Sequence, residues 1–148
     1  MLIPKKTKYR YSHIVKYEGH AKGNQEVNFG DYGLQAQEGA YISNRVIEAG
    51  RKVISPFVKK NGKMWIRIFP HLGKTKKPLE VRMGSGKGSI DNWVAVAKSG
   101  TIIFELREIR KETAYQALEA AIHKLPKNNK GDKKINYYYK VIDKNENK

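Results

Sequence analysis

Cysteine is absent from this 148-residue chain, so disulfides and thiolate zinc sites are excluded and a reducing compartment is permitted. Acidic residues are scarce, with 14 Asp and Glu against 30 Lys and Arg, for a formal charge of +16. No apolar run approaches the length of a membrane span, and the first residues carry too much charge for a signal peptide. No membrane association is the resulting expectation. Basic amphipathic helices with Trp or Phe on the apolar face, which a membrane surface would require, are also missing.

Catalytic and nucleotide signatures are missing as well. The four histidines, His13, His20, His71 and His123, form no H-E-x-x-H pair, and no acid is spaced to share a metal with them. Ser85 lacks the G-x-S-x-G elbow, and Glu105 and Glu108 do not read as an acid/base pair. Gly86-Lys87 is followed by Gly88 where a phosphate-binding P-loop needs Ser or Thr, and Val81 occupies the place of its first glycine. The dinucleotide fingerprint fails at Ser89. The expectation is no enzyme, no cofactor and no metal.

What is present is basic charge, unevenly placed. Residues 1–25 hold six Lys/Arg and one acid, whereas residues 26–50 hold one and four. Residues 51–88 hold eleven against one, residues 89–126 balance at five each, and residues 127–148 hold seven against three. Charge gathered in an arm, a central region and a tail resembles a nucleic-acid footprint more than a general solubility charge. The length suits one domain, divided as a basic arm (1–25), a globular body (26–126) and a tyrosine-containing tail (127–148).

The central region, residues 63–88, organises this reading. Met64, Ile66 and Ile68 alternate with Trp65, Arg67 and Phe69, a strand pattern stopped by Pro70. A loop with Lys74, Lys76 and Lys77 follows, then a short strand from Leu79 to Met83, then Gly84-Ser85-Gly86-Lys87-Gly88. Glycines admit backbone N–H groups close to a polyanion, and lysines neutralise it. Arg82, beside the glycine loop, suits a bidentate contact with phosphate or base, with a surface pair to Glu80 as its alternative. Trp65 and Trp93 have both a core and a stacking reading, with the core favoured.

Elsewhere, Tyr9, Tyr11 and Tyr17 interleave the lysines of the arm, a composition that orders on a polyanion and offers rings to unpaired bases. Val27–Phe29 and Leu34–Gln37 read as short strands flanking a turn at Gly30–Gly33. After Ser43, a cap residue, Val46, Ile47, Gly50, Val53, Ile54, Phe57 and Val58 recur at helical spacing, giving a helix over 43–55 whose final turn Pro56 distorts. Trp93–Lys98 and Thr101–Leu106 form a hairpin pattern around Ser99-Gly100. A second helix carries Ala114, Ala117, Leu118, Ala121, Ile122 and Leu125 on one stripe, with Glu112 at its start, Lys124 at its end and Pro126 closing it. Ile135–Ile142 is either a last strand or a segment ordered by a partner. The fold class is therefore α+β: a mostly antiparallel sheet, two packed helices, basic loops, an extended basic arm and a tail. Without a recognition-helix signature, structured RNA is favoured over duplex DNA.

Residues 62–70 and 77–88, with Met1–Arg10, Phe29–Leu34 and His123–Pro126, closely resemble bacterial-type large-subunit ribosomal protein sixteen, the L-sixteen family, over roughly residues 1–126. That resemblance implies a structural component of the large ribosomal subunit. It would bind large-subunit rRNA near the peptidyl-transferase region, contact the acceptor arms of A-site and P-site tRNA, and meet neighbouring ribosomal proteins without forming homo-oligomers. The rRNA contacts so implied are Lys5, Lys6, Lys8, Arg10, His13, Lys16, Arg51, Lys52, Lys59, Lys60, Lys63 and Arg67. The loops facing rRNA and tRNA would carry His71, Lys74, Lys76, Lys77, Arg82, Met83, Gly84, Gly86, Lys87 and Gly88. The other readings are a free-standing RNA chaperone and a small RNA-modifying enzyme; no cofactor pocket for the latter is visible in the sequence.

Overall fold

The computed structural model describes residues 2–9, 11–58, 62–126 and 138–144. In chain order these form β1 (Tyr32–Ala36), β2 (Ala40–Ser43), α1 (Asn44–Ile54), β3 (Lys63–Ile66), β4 (Leu72–Thr75), β5 (Ile90–Ala97), β6 (Ile102–Arg107), α2 (Lys111–Ile122) and β7 (Tyr139–Asp143). One sheet has the order β3-β6-β1-β7 and the other β2-β5-β4. All pairings within them are antiparallel. The α+β class expected from the sequence is the one observed.

β6 explains much of this arrangement. Its residues Ile102 to Leu106 are all buried, which requires neighbours on both edges and cover on both faces. β1 and β3 supply the edges. α1 and α2 pack against each other, α2 also touching β1 and β7 while α1 touches β2 and β5, so the helix pair ties the two sheets together. Leu34, Ile42, Ile47, Ile54, Phe104 and Leu118 are fully buried in the shared core. Gly50 lets α1 approach closely, because a Cβ there would stand 2.9 Å from Cζ of Phe104.

α1 begins where its cap was expected, with the Ser43 hydroxyl accepting from the Val46 N–H at 3.4 Å. It ends at Ile54, and the Phe57 N–H reaches back to the Ile54 carbonyl at 3.0 Å in a tightened turn before the chain leaves. In α2, Glu112 lies in the positive first turn. Lys124 falls past the last helical turn, because the helix stops at Ile122.

Several local expectations need correcting. First, β5 and β6 do not pair as a hairpin; β5 joins β2 and β4 while β6 joins β1 and β3. Ser99-Gly100 is a corner between sheets: the Gly100 N–H bonds the Ala36 carbonyl at 2.7 Å, and Ser99 offers its carbonyl to the Ala21 N–H at 2.8 Å. Second, residues 79–83 are exposed turn and bend, not strand. Their alternation is that of a strand, but no neighbour pairs with it, and the Val81 N–H turns back to Pro78 at 3.2 Å. Third, the loop expected around Lys74 contains strand β4, whose Gly73 packs under Ile90. The pattern at 64–69 pairs as a strand only to Ile66, with a single further bond from Arg67 to Ile103.

Fourth, Val27–Phe29 is not a strand. Its donors go to a side chain instead: Glu105 is fully buried, and one carboxylate oxygen accepts from Phe29 N–H at 2.7 Å and Gly30 N–H at 2.8 Å. The other accepts from Asn28 at 3.4 Å and from the Arg67 guanidinium. Arg67 lies 4.7 Å from the Phe29 ring centre, and Phe29 stacks on Trp65 at 6.1 Å. Trp65 is thus half-buried in this cluster rather than in the main core. Of the two readings of the tail, residues 139–143 take the strand, pairing with β1 from Tyr32↔Asp143 to Ala36↔Tyr139. The linker at 127–133 and Ile135–Tyr137 lie outside the described residues.

Candidate nucleic-acid interface

β4 and β5 are joined by residues 76–89, a long connection closed at its base where the Lys76 N–H bonds the Ser89 carbonyl at 3.1 Å. Gly88 permits that closure, since a Cβ there would lie 2.7 Å from the Lys76 carbonyl oxygen. The Lys77 ammonium reaches the Gly84 carbonyl across the loop. Gly84 and Gly86 hold φ of +102° and +83°, and Ser85 is held at +57°. Left-handed backbone is accessible to glycine and costly for most other residues, so the glycines here serve the loop's shape.

The basic arm lies against the same sheet. The Tyr41 hydroxyl donates to the Val15 carbonyl at 2.7 Å, and the Tyr17 and Tyr41 rings meet edge to face at 5.0 Å. Gly39 makes room for this crossing, because a Cβ would fall 2.1 Å from the Tyr17 carbonyl oxygen. Lys87 donates to the Ser12 carbonyl at 3.3 Å and lies 5.6 Å from the Tyr11 ring centre. Lys74 sits 4.6 Å over the Tyr41 ring. Lysines that would repel one another are thus spaced by aromatic faces and carbonyl oxygens. Farther along, the Asn24 side chain donates to the Ile102 carbonyl at 2.9 Å, fixing the end of the arm to β6.

Among the clefts that arm and sheet enclose in the described residues, two adjoin at the lysine-bearing strand β4. One, of about 420 Å³, is bordered by Ser12, Lys74, Lys76, Lys87, Asp91 and Asn92. The other, of about 290 Å³, is bordered by Lys6, Lys8, Tyr9, Phe69, His71 and Trp93. Both reach Ser12 and Gly73, so they form one continuous basic and aromatic face. This face presents cations for phosphates beside rings on which unpaired bases can stack.

The expected contact residues do not all share it. Lys6, Lys8, His71, Lys74, Lys76 and Lys87 line the clefts, while Lys5, His13 and Lys16 are exposed on the arm beside them. Arg82, Met83, Gly84 and Gly86 are exposed at the loop tip. Arg82 has no ion pair with Glu80; among the described residues the charge pairs lie elsewhere. Arg51 and Lys52 sit near the end of α1, and Lys63 begins β3, so none of the three lines a cleft. Arg51 is bound to Glu48 at 2.6 and 2.9 Å, a hydrogen-bonded pair that lowers the Glu48 carboxyl below its ordinary range. Arg67, only 14% exposed, is committed to Glu105. Arg10, Lys59 and Lys60 lie outside the described residues. Tyr41, Asp91 and Asn92 were not singled out in the sequence; their contribution comes from contacts across the fold, which leave no local pattern.

Across residues 4–130 the chain matches the family described as ribosomal protein L16p/L10e. The chain belongs to this family. Among its relatives, the large ribosomal subunit protein uL16 of Spiroplasma kunkelii is 60% identical over 126 residues, covering 85% of this chain and 92% of the relative. The uL16 protein of Ureaplasma parvum serovar 3 is also 60% identical, covering 91% of its own length, and that of Mesoplasma florum is 54% identical. The matched span includes the arm from Pro4, β1 to β6 and α2, so the arm–loop face lies wholly within the family's extent. Membership makes this L16p/L10e protein a ribosomal protein rather than an enzyme. No helix among the described residues is long and apolar enough to cross a membrane.

Proposed function

We propose that this chain is a structural constituent of the large ribosomal subunit in the cytoplasm, binding large-subunit rRNA through the face built from the arm, β4–β5 and the 76–89 connection. The observation that carries the reading is the convergence of Lys6, Lys8, Lys74, Lys76 and Lys87 from distant parts of the sequence on two adjoining clefts. A neutral fold gains nothing from gathering like charges; a polyanion supplies the compensation. On this reading the remaining basic residues, Lys5, Arg10, His13, Lys16, Arg51, Lys52, Lys59, Lys60 and Lys63, add further phosphate contacts. Arg67 serves first as the clamp that holds the 28–30 segment. The docking site is rRNA near the peptidyl-transferase region. The loop with Lys77, Arg82 and Met83 then faces both that rRNA and the acceptor arms of A-site and P-site tRNA, with neighbouring ribosomal proteins around the body.

Sedimentation of a tagged chain, combined with a photo-reactive side chain at position 76, tests this. The tag is expected in the large-subunit fraction, with cross-links to large-subunit rRNA. A tag that stays at the top of the gradient and cross-links many cellular RNAs equally would favour a free-standing RNA chaperone.

A further inference from the structure

The tip of the 76–89 connection carries side chains that a purely electrostatic contact does not need. Leu79 is 95% exposed, Met83 101% and Val81 51%. Three apolar side chains within five residues, all facing water, are a surface awaiting cover. They are not on a slack loop. The base is closed by Lys76 and Ser89, a turn is closed by Pro78 and Val81, and Lys77 braces the far side at Gly84. The ridge is displayed in a preformed shape, which lowers the ordering cost of binding.

The surrounding charge selects the occupant. Lys74, Lys76, Lys77, Arg82 and Lys87 flank the ridge, with Glu80 as the one acid between them. An apolar protein partner would have to bury or match five cations. RNA provides phosphates for the cations and flat base faces for the apolar groups in one molecule. We propose that Leu79, Val81 and Met83 form an apolar wedge that packs on nucleobase faces at an opened base step, while Lys76, Arg82 and Lys87 hold the flanking phosphates. Apolar side chains inserted between bases are an established way of holding a nucleic acid unstacked. The proposal rests on the rRNA-binding reading and adds a contact whose strength does not depend on salt.

Binding of the full chain to in-vitro transcribed large-subunit rRNA across a salt series separates the possibilities. Leu79→Ser with Met83→Ser is expected to weaken binding about tenfold, as for loss of a base-stacking contact, with the salt slope unchanged. Met83→Lys decides most sharply: the wedge predicts weaker binding despite the added positive charge. Tighter binding with a steeper slope would overturn it. Met83→Trp is expected to keep affinity and to show indole fluorescence quenched by rRNA; an unquenched indole would count against the wedge. These side chains are solvent-facing, so circular dichroism should match the unaltered protein. If the serine pair binds rRNA normally but is lost from large subunits, the ridge meets a protein and the wedge is wrong. A shallow slope for the unaltered chain would refute the rRNA reading itself, and the wedge with it.

Discussion

Replacing Glu105 with glutamine should unfasten the segment that joins the arm to the body. The carboxylate is fully buried and serves two sets of donors, the N–H groups of Phe29 and Gly30 on one oxygen and the Arg67 guanidinium on the other. Glutamine cannot serve both. With its amide nitrogen toward Phe29 and Gly30, donor faces donor; flipped, the nitrogen faces the guanidinium. Either way a buried cation loses its counter-charge, for which about 3–5 kcal/mol is the usual cost. For a domain of this size that corresponds to roughly a 10 °C fall in melting temperature. Urea unfolding of Glu105→Gln, Arg67→Ala and the double variant measures it. The cycle should show coupling of more than about 1 kcal/mol. New proteolytic cleavage is expected within residues 24–30, where the backbone would lose its acceptors. A loss below about 0.5 kcal/mol, the range of ordinary surface changes, would refute the clamp.

Three further outcomes follow from single positions. Gly39→Ala should lift the arm from β2, since its Cβ would collide with the Tyr17 carbonyl oxygen; faster cleavage between residues 11 and 20, with the melting temperature of the body little changed, is expected. Tyr139 is buried with its hydroxyl on the Pro126 carbonyl at 2.6 Å, and burial pushes its phenol well above the ordinary range. A raised folded pKa means that stability is intact below the unfolded value of about 10 and declines as pH rises above it. Tyr139→Phe should flatten that alkaline decline in pH-dependent melting. Arg82→Ala should leave stability within about 0.5 kcal/mol while impairing tRNA positioning or late subunit assembly, measured by translation assays and subunit profiles; a large stability loss with normal ribosome function would argue the reverse.

The helices were legible because their signals are local. Ser43 caps α1, the stripe from Val46 to Ile54 faces the core, and the alanine-rich stripe of α2 does the same. Strand partners were not legible. The pattern at 93–106 fits a hairpin on local evidence, but the buried run of β6 needs β1 and β3 at its edges, and that demand comes from the whole sheet. Leu79–Met83 alternates like a strand, yet its apolar side chains point into solvent, so alternation alone misassigned it. Val27–Phe29 failed for a different reason: a glutamate 75 residues or more away takes the backbone donors that a strand partner would have used. For the site, the lysines themselves were evident from charge counting. Which of them meet was not, since Tyr41, Gly39 and Ser12 set that by long-range contact.

The dependence of rRNA affinity on salt tests the basic face most directly. If the arm and loop neutralise about eight phosphates, log affinity plotted against log salt should fall with a slope of about −7, and alanine at Lys76 and Lys87 together should make it shallower by about 2. A slope near −1 for the unaltered chain, with no change on removing the two lysines, would contradict a polyanion seated on those clefts.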